Sequence, residues 1–481
     1  MKRLPLFFIF SLCAIITRHA AAGDSEKSFR AGAATANITP ELGGAIVGNF
    51  TTPIAKHIHD ELHARCVVLD NGETRMAIVV CDSLGLAQIV CDAARSVIHA
   101  ENSIPEEDIL ISATHSHSGT SAQGTNRFAL TNELDDYQNF LVRRIADGVR
   151  RAANNLAPAR IGWGTAINAK HVFNRRWFMK PGSVSTNPLG GTNDLVRMNP
   201  PRANPNFIKP AGPIDPEICF IALQSPNGKP IALLANYSLH YVGGVPEGDI
   251  SADYFAVFCD RIQQLLGADR QDPPFVAMLS NGTSGDINNI DFSKPEEKKT
   301  GPYEKMRLVA DDLARSTLKS YKKIKFHNWV PLAGQLQLME VGVRHPTPAQ
   351  LERAQKIVAA AGNPPQFRSM EQIYAERTLR LNEYPATLPI PVQALRIGDV
   401  GIAGLPNEIF CETGLELKAR SPFKPTFTVE LANGYYGYLP TPEQHKWGGY
   451  ETWLGTNRFQ EDTSTKYVEA LLRMWEELKS Q

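Results

Sequence analysis

Strand-like apolar runs alternate with amphipathic helical stretches through residues 64–155, and this alternation points to an α/β architecture. Residues 64–70 read as a strand, Asn71-Gly72 as a turn, 76–81 as a second strand, 86–100 as a helix, 108–113 as a third strand and 134–155 as a further helix. Beyond these, the pattern predicts strands near 161–163, 219–223, 231–236, 275–279, 392–397 and 400–403, and a helix over 252–266. The closing helix, 463–479, sets Tyr467, Leu471, Leu472, Trp475 and Leu478 on one apolar face and reads as structural. The expectation is a single large α/β domain of mixed β-sheets flanked by helices, with the strand order left open. Residues 174–215 are rich in Pro, Gly and Asn and lack periodicity, which suits a lid loop over a site or a surface insertion. Residues 348–381 read as a helical insertion.

The first 22 residues have the form of a cleaved secretory signal, with Lys2 and Arg3, an apolar stretch over 4–16, and small residues at Ala20, Ala21 and Ala22. The mature domain would then be 23–481, exported to the periplasm or the extracellular space. No later run of 18 apolar residues offers a transmembrane segment. After Cys13, the cysteines are Cys66, Cys81, Cys91, Cys219, Cys259 and Cys411, an even set that permits disulfides and fits buried small hydrophobes equally well. Fifty basic side chains balance 50 acidic ones, so composition makes no electrostatic case for nucleic acid or an anionic membrane surface. The expected partner is a small-molecule or lipid-like substrate. No motif bears on the oligomeric state.

Strand ends are where an α/β sheet presents functional groups, and four of them carry metal-compatible side chains. In Thr114-His115-Ser116-His117, two imidazoles follow the apolar run 109–111; on a strand, residues two apart share a face, so His115 and His117 can converge. His240 follows the apolar run 231–235, Glu408 lies just past 401–405, and Tyr438 closes a glycine-rich turn with Tyr435 and Tyr436. Each has a plainer reading as a core histidine, a helix-capping carboxylate or an aromatic packing cluster. The segment 59–63, HDELH, imitates a zinc-protease motif, but that motif requires a helix and this one runs into a strand.

Taken in order, the segments 115–119 (HSHSG), 174–175 (NR), 215–217 (DPE), 236–240 (NYSLH), 250–254 (ISADY), 281–286 (NGTSGD), 405–408 (LPNE) and 433–438 (NGYYGY) resemble the catalytic domain of neutral ceramidases, over a span from about Ala31 to the end of the chain. The resemblance implies a catalytic Zn2+ held by His115, His240, Glu408 and Tyr438, with His117, Arg175 and Tyr435 lining the substrate pocket. Nitrogen and oxygen donors suit zinc, and an open coordination position can hold a water of lowered pKa. Proton transfer would then fall to His117, and binding of a carbonyl, carboxylate or oxyanion to Arg175. The sequence departs from the family at Asn288, where a serine once proposed as nucleophile is expected; Ser284 reads as a turn residue. The stretches 120–124 and 176–180 also differ, and the chain ends about where the catalytic domain should, without the appended β-sandwich domain.

The function implied is that of a secreted zinc-dependent hydrolase cleaving an amide, such as an N-acyl bond. An esterase, lactonase or deacetylase acting on a sugar or glycolipid would use the same ligands. Trp177, Phe178 and Met179 would suit an acyl chain, whereas Arg175, Arg176, Lys180 and Arg197 would suit an acidic or hydroxylated substrate. A binding protein that keeps the fold and has lost turnover is the third reading.

Overall fold

Three β-sheets pack their inner faces against one another, and helices cover the outer faces. The computed structural model describes residues 27–48, 52–124, 128, 130, 133–296, 300–362 and 367–480; the signal expected at 1–22 lies outside them. The first sheet runs in the order Ile109–Ala113, Arg75–Cys81, His63–Asp70, Arg30–Asn37 and Ala157–Pro158. The second runs Val276–Asn281, Pro230–Tyr237, Glu217–Gln224, Arg160–Ile167 and Phe326–His327, and the third Leu332–Gly342, Thr387–Ile397, Val400–Leu405 and Thr426–Glu430.

Period-two alternation explains why these strands are apolar on both faces. Cys66 and Val68 pack outward in the cluster that includes helices Gln88–Asn102 and Asp136–Asn154, while Val67 and Leu69 point inward to Ile221, Leu234, Ile402 and Val429 of the other two sheets. On the second sheet, Phe220 and Ala222 face helices Asp253–Leu265 and Glu304–Tyr321, while Ile221 and Leu223 face the centre. Each such fully buried Leu, Val or Phe contributes roughly 1.5–3 kcal/mol. Trp475 of the closing helix Thr463–Ser480 is fully buried against the third sheet.

All three sheets end in one parallel strand pair: Arg75–Cys81 with Ile109–Ala113, Pro230–Tyr237 with Val276–Asn281, and Val400–Leu405 with Thr426–Glu430. Parallel neighbours need a crossover connection, and it contains helix Gln88–Asn102, Asp253–Leu265 or Cys411–Arg420 respectively. The loops leaving the carboxyl ends of these strands carry His115 and His117, His240 and Ser284, and Glu408, Tyr435 and Tyr438.

Within segment 174–215, Val196–Met198, Arg176–Met179 and Phe207–Pro210 form an antiparallel three-stranded sheet. Segment 348–381 contains two helices, Pro348–Ala360 and Met370–Asn382, each opened by a capping box, Thr347 with Gln350 and Ser369 with Gln372. All six described cysteines are buried free thiols, so the reading as small hydrophobes holds. No helix among the described residues is long and apolar enough to cross a membrane.

Asp108 enters the first sheet's edge strand at a cost. Burial, with some help from Glu107, pushes its carboxyl up to about 7, and its Oδ1 has no hydrogen-bond partner. A raised folded-state pKa contributes stability below the ordinary carboxylate range that is lost as pH rises through about 7. Asp108→Asn should therefore be more stable than the parent at pH 8, by on the order of 1 kcal/mol or more, and melt higher, with the difference shrinking at pH 5. Equal melting temperatures at pH 8 would remove burial as the cause.

Candidate metal centre

The first histidine pair does not lie on a strand. The strand ends at Ala113, and His115 takes a left-handed backbone conformation, φ 70°, that bends the chain into a turn. The expected convergence of His115 and His117 is real, but this turn produces it rather than β alternation: Nε2 of His117 lies 3.0 Å from Nε2 of His115. A left-handed non-glycine residue costs of order 1–3 kcal/mol and marks a position where surrounding structure overrides local preference. Here the His115 amide donates to the Ser83 carbonyl at 2.9 Å, and its Nδ1 is 2.8 Å from the Leu84 carbonyl.

That last contact fixes chemistry as well as position. A carbonyl only accepts, so Nδ1 carries a proton and Nε2 is the atom of His115 turned inward. His240 is held the same way, with Nδ1 at 3.2 Å from the Ser284 carbonyl. Burial keeps the His240 imidazole well below its ordinary titration range, reinforced by His115, Arg175 and His117, so it is a neutral donor. Its Nε2 has no hydrogen-bond partner.

Glu408 completes the convergence. Its Oε2 lies 3.3 Å from Nε2 of His115 and 3.7 Å from Nε2 of His240, also without a hydrogen bond, while Oε1 accepts from the Tyr435 hydroxyl at 2.7 Å. Burial alone would raise the Glu408 pKa, but His115 and the hydroxyls of Tyr438 and Tyr435 outweigh it and hold the carboxyl ionised. Buried Nε2 atoms of His115 and His240 and a carboxylate oxygen therefore face one another, an arrangement that a cation stabilises. Tetrahedral zinc sets neighbouring N and O donors about 3.3 Å apart, and the observed 3.0–3.7 Å spacings among His115, His117, His240 and Glu408 match it. Ring nitrogens of the three histidines lie within 4.8 Å of one another, so His117 is a possible fourth donor beside Tyr438.

A second buried carboxylate braces the first. Glu430 accepts from Ser284 Oγ at 2.6 Å, from the Ser284 amide at 3.2 Å and from the Ile409 amide at 2.8 Å. It thereby ties the loop that orients His240 to the residue after Glu408. Burial raises its pKa well above the ordinary range, with the Glu408 charge adding to the shift. Ser284 is committed to Glu430, in keeping with a turn residue.

The centre opens into a cavity of about 150 Å3. Tyr438 and Tyr435 line it, as does Arg175, whose Nε donates to Glu451 at 3.0 Å while its guanidinium sits 5.3 Å over the Tyr438 ring. All seven residues singled out in the sequence therefore border one space. Asn288 lines it too, where a serine was expected. Trp177, Phe178, Met179, Arg176, Lys180 and Arg197 do not; Arg176 is fully buried against Glu451 and Gln444, and Trp177 stacks on Phe207. His59 stacks on Tyr303 at 3.6 Å, outside any helix, which disposes of the protease-like motif. Sequence reading missed Tyr450, Arg377 and Arg458, which also form the wall. Only the glycine pair before Tyr450 hinted at a functional turn; the two arginines sit in helical and loop contexts with no distinguishing pattern.

Sheet-end loops that bring imidazoles and a carboxylate to one buried point define an α/β fold with a metal-competent centre. The fold is shared with solved ceramidases: one in complex with C2, at 18% identity and a TM-score of 0.69, covers 95% of this chain and 76% of its own. Neutral ceramidase from Pseudomonas aeruginosa, also at 18% identity, gives a TM-score of 0.67 over 93% of this chain and 74% of that one. The resemblance read from the eight motifs is thus borne out in the fold. No protein-family model and no curated protein sequence matches the chain.

Proposed function

We propose that the protein is an exported zinc-dependent hydrolase that cleaves an amide, of the N-acyl type, with water. The observation that carries this reading is the convergence of buried, unpartnered Nε2 of His240 and Oε2 of Glu408 on Nε2 of His115. His115, His240 and Glu408 would hold the metal together with Tyr438, whose hydroxyl helps to keep the Glu408 pKa low. When bound, zinc supplies Lewis acidity that brings a water's ionisation near neutral pH. Tyr435 fixes the orientation of Glu408. Arg175, braced by Glu451, keeps one buried nitrogen, Nη2, without a hydrogen bond and so able to donate to a substrate carbonyl oxygen as charge develops on it. His117, stacked on Tyr241 at 3.8 Å and beside His115, is placed to move a proton between water and the leaving amine. The same groups would serve an ester carbonyl, so the substrate panel has to include matched amides and esters. The structural likeness to ceramidases supports the amide.

Elemental analysis of the purified protein should find about one zinc per chain, with hydrolysis of N-acyl amides. His117→Ala should retain that zinc and lose turnover by ~10²–10⁴-fold. Zinc lost in His117→Ala would make His117 a ligand instead. Full metal content without hydrolysis of any amide or ester would overturn the reading and favour a binding protein.

A further inference from the structure

The cavity wall away from the metal centre is cationic. Besides Arg175, it contains Arg377 and Arg458, and Glu408 is the sole carboxylate among its described lining residues. Arg458 is only 5% exposed, yet no carboxylate among the described residues lies within 4.0 Å of it, and its Nε has no hydrogen-bond partner. Among the described residues its side chain makes a single long hydrogen bond, Nη1 donating to the Tyr384 hydroxyl at 3.5 Å. Arg377 is half-buried, has no ion pair among the described residues, and flanks the same ring as Arg458: their guanidinium carbons lie 5.9 and 4.2 Å from the Phe128 centroid.

Aromatic stacking can account for the position of these guanidinium groups. It leaves the buried Nε–H of Arg458 without an acceptor, and a buried charged donor without an acceptor is costly. A substrate oxyanion meets that need, since a guanidinium fork matches a carboxylate in bidentate fashion. Resting on the hydrolase reading above, we infer that the preferred substrate is an amide bearing a carboxylate, which Arg458 and Arg377 bind while the scissile carbonyl lies at Arg175 and the metal centre. The neutral wall that an uncharged headgroup would favour is not what the chain presents.

The carboxylate can sit on the amine side or on the acyl side of the scissile bond, so two matched pairs are needed. N-hexanoylglycine is compared with N-hexanoylethanolamine, and N-hexylsuccinamate with N-hexyl-4-hydroxybutanamide, on the zinc-loaded full chain. If turnover occurs, kcat/KM is read; if none occurs, Kd is measured by calorimetry on the same protein. At least one anionic compound should exceed its hydroxyl partner tenfold or more, and Arg458→Gln and Arg377→Gln should each reduce that ratio at least fivefold. Should Arg458→Gln fail to fold, the half-buried Arg377 decides through Arg377→Gln, with circular dichroism as the check on folding. Ratios near one in both pairs, or ratios unmoved by the substitutions, overturn the inference even if hydrolysis is seen. Selective binding of an anionic compound without turnover would uphold the inference and reject the hydrolase reading.

Discussion

Glu408→Gln is expected to empty the centre: zinc content should fall from about one per chain toward zero, and amide hydrolysis by ~10³-fold or more, the equivalent of about 4 kcal/mol of barrier. The substitution keeps the volume of the side chain and an acceptor for Tyr435, which donates to Oε1 at 2.7 Å. What it removes is the negative charge that faces Nε2 of His115 and of His240. Retained zinc would mean that the three imidazoles suffice, and the ligand assignment would have to move to His117. Inductively coupled plasma analysis alongside the rate assay separates the two outcomes.

Gly285→Ala should damage the site from outside it. A Cβ there would lie 2.6 Å from the Glu408 carbonyl oxygen and 3.0 Å from that of Ile409, and these are backbone atoms that cannot swing aside. The Gly285 amide already donates to the Ile409 carbonyl at 2.8 Å, so the 281–286 loop and the Glu408 segment are locked at their closest approach. Separating them costs about 1–3 kcal/mol by the usual scale of overpacking. It also pulls the Ser284 carbonyl away from His240 and Glu408 away from His115. The expected result is a lower melting temperature together with weaker zinc retention under chelator challenge. A destabilised protein that holds its zinc as firmly as the parent would show that the loop supports the fold but does not set the ligand spacing.

Strands buried on both faces were the legible part of the fold, because Val67, Val79, Ile111, Ile221 and Leu234 sit in apolar runs that need no partner to be recognised. Helix Glu304–Tyr321 and strand Leu332–Gly342 escaped notice for the opposite reason: many of their positions are solvent-facing, which dilutes the apolar signal. Residue types at the site were readable one by one, and the ordered motifs tied them together. Their convergence was not readable from local pattern, since His115, His240, Glu408 and Tyr438 follow the strand ends of three sheets whose packing depends on non-local contacts. The φ of His115 is likewise imposed by its neighbours, Ser83 and Leu84, rather than by its own preference.

The three parallel strand pairs have a further consequence for how such a chain can change. Donor atoms sit within a few residues of strand ends, so any change that shifts one sheet against another disturbs all of them at once. Phe128, Arg377, Tyr450 and Arg458 reach the cavity from connections and from the helical insertion instead. Those segments tolerate insertion and replacement far better than a buried strand does. Chemistry and selectivity are therefore separately heritable here: the wall can be rebuilt for a new substrate by exchanging connections while the reaction at the strand ends stays the same.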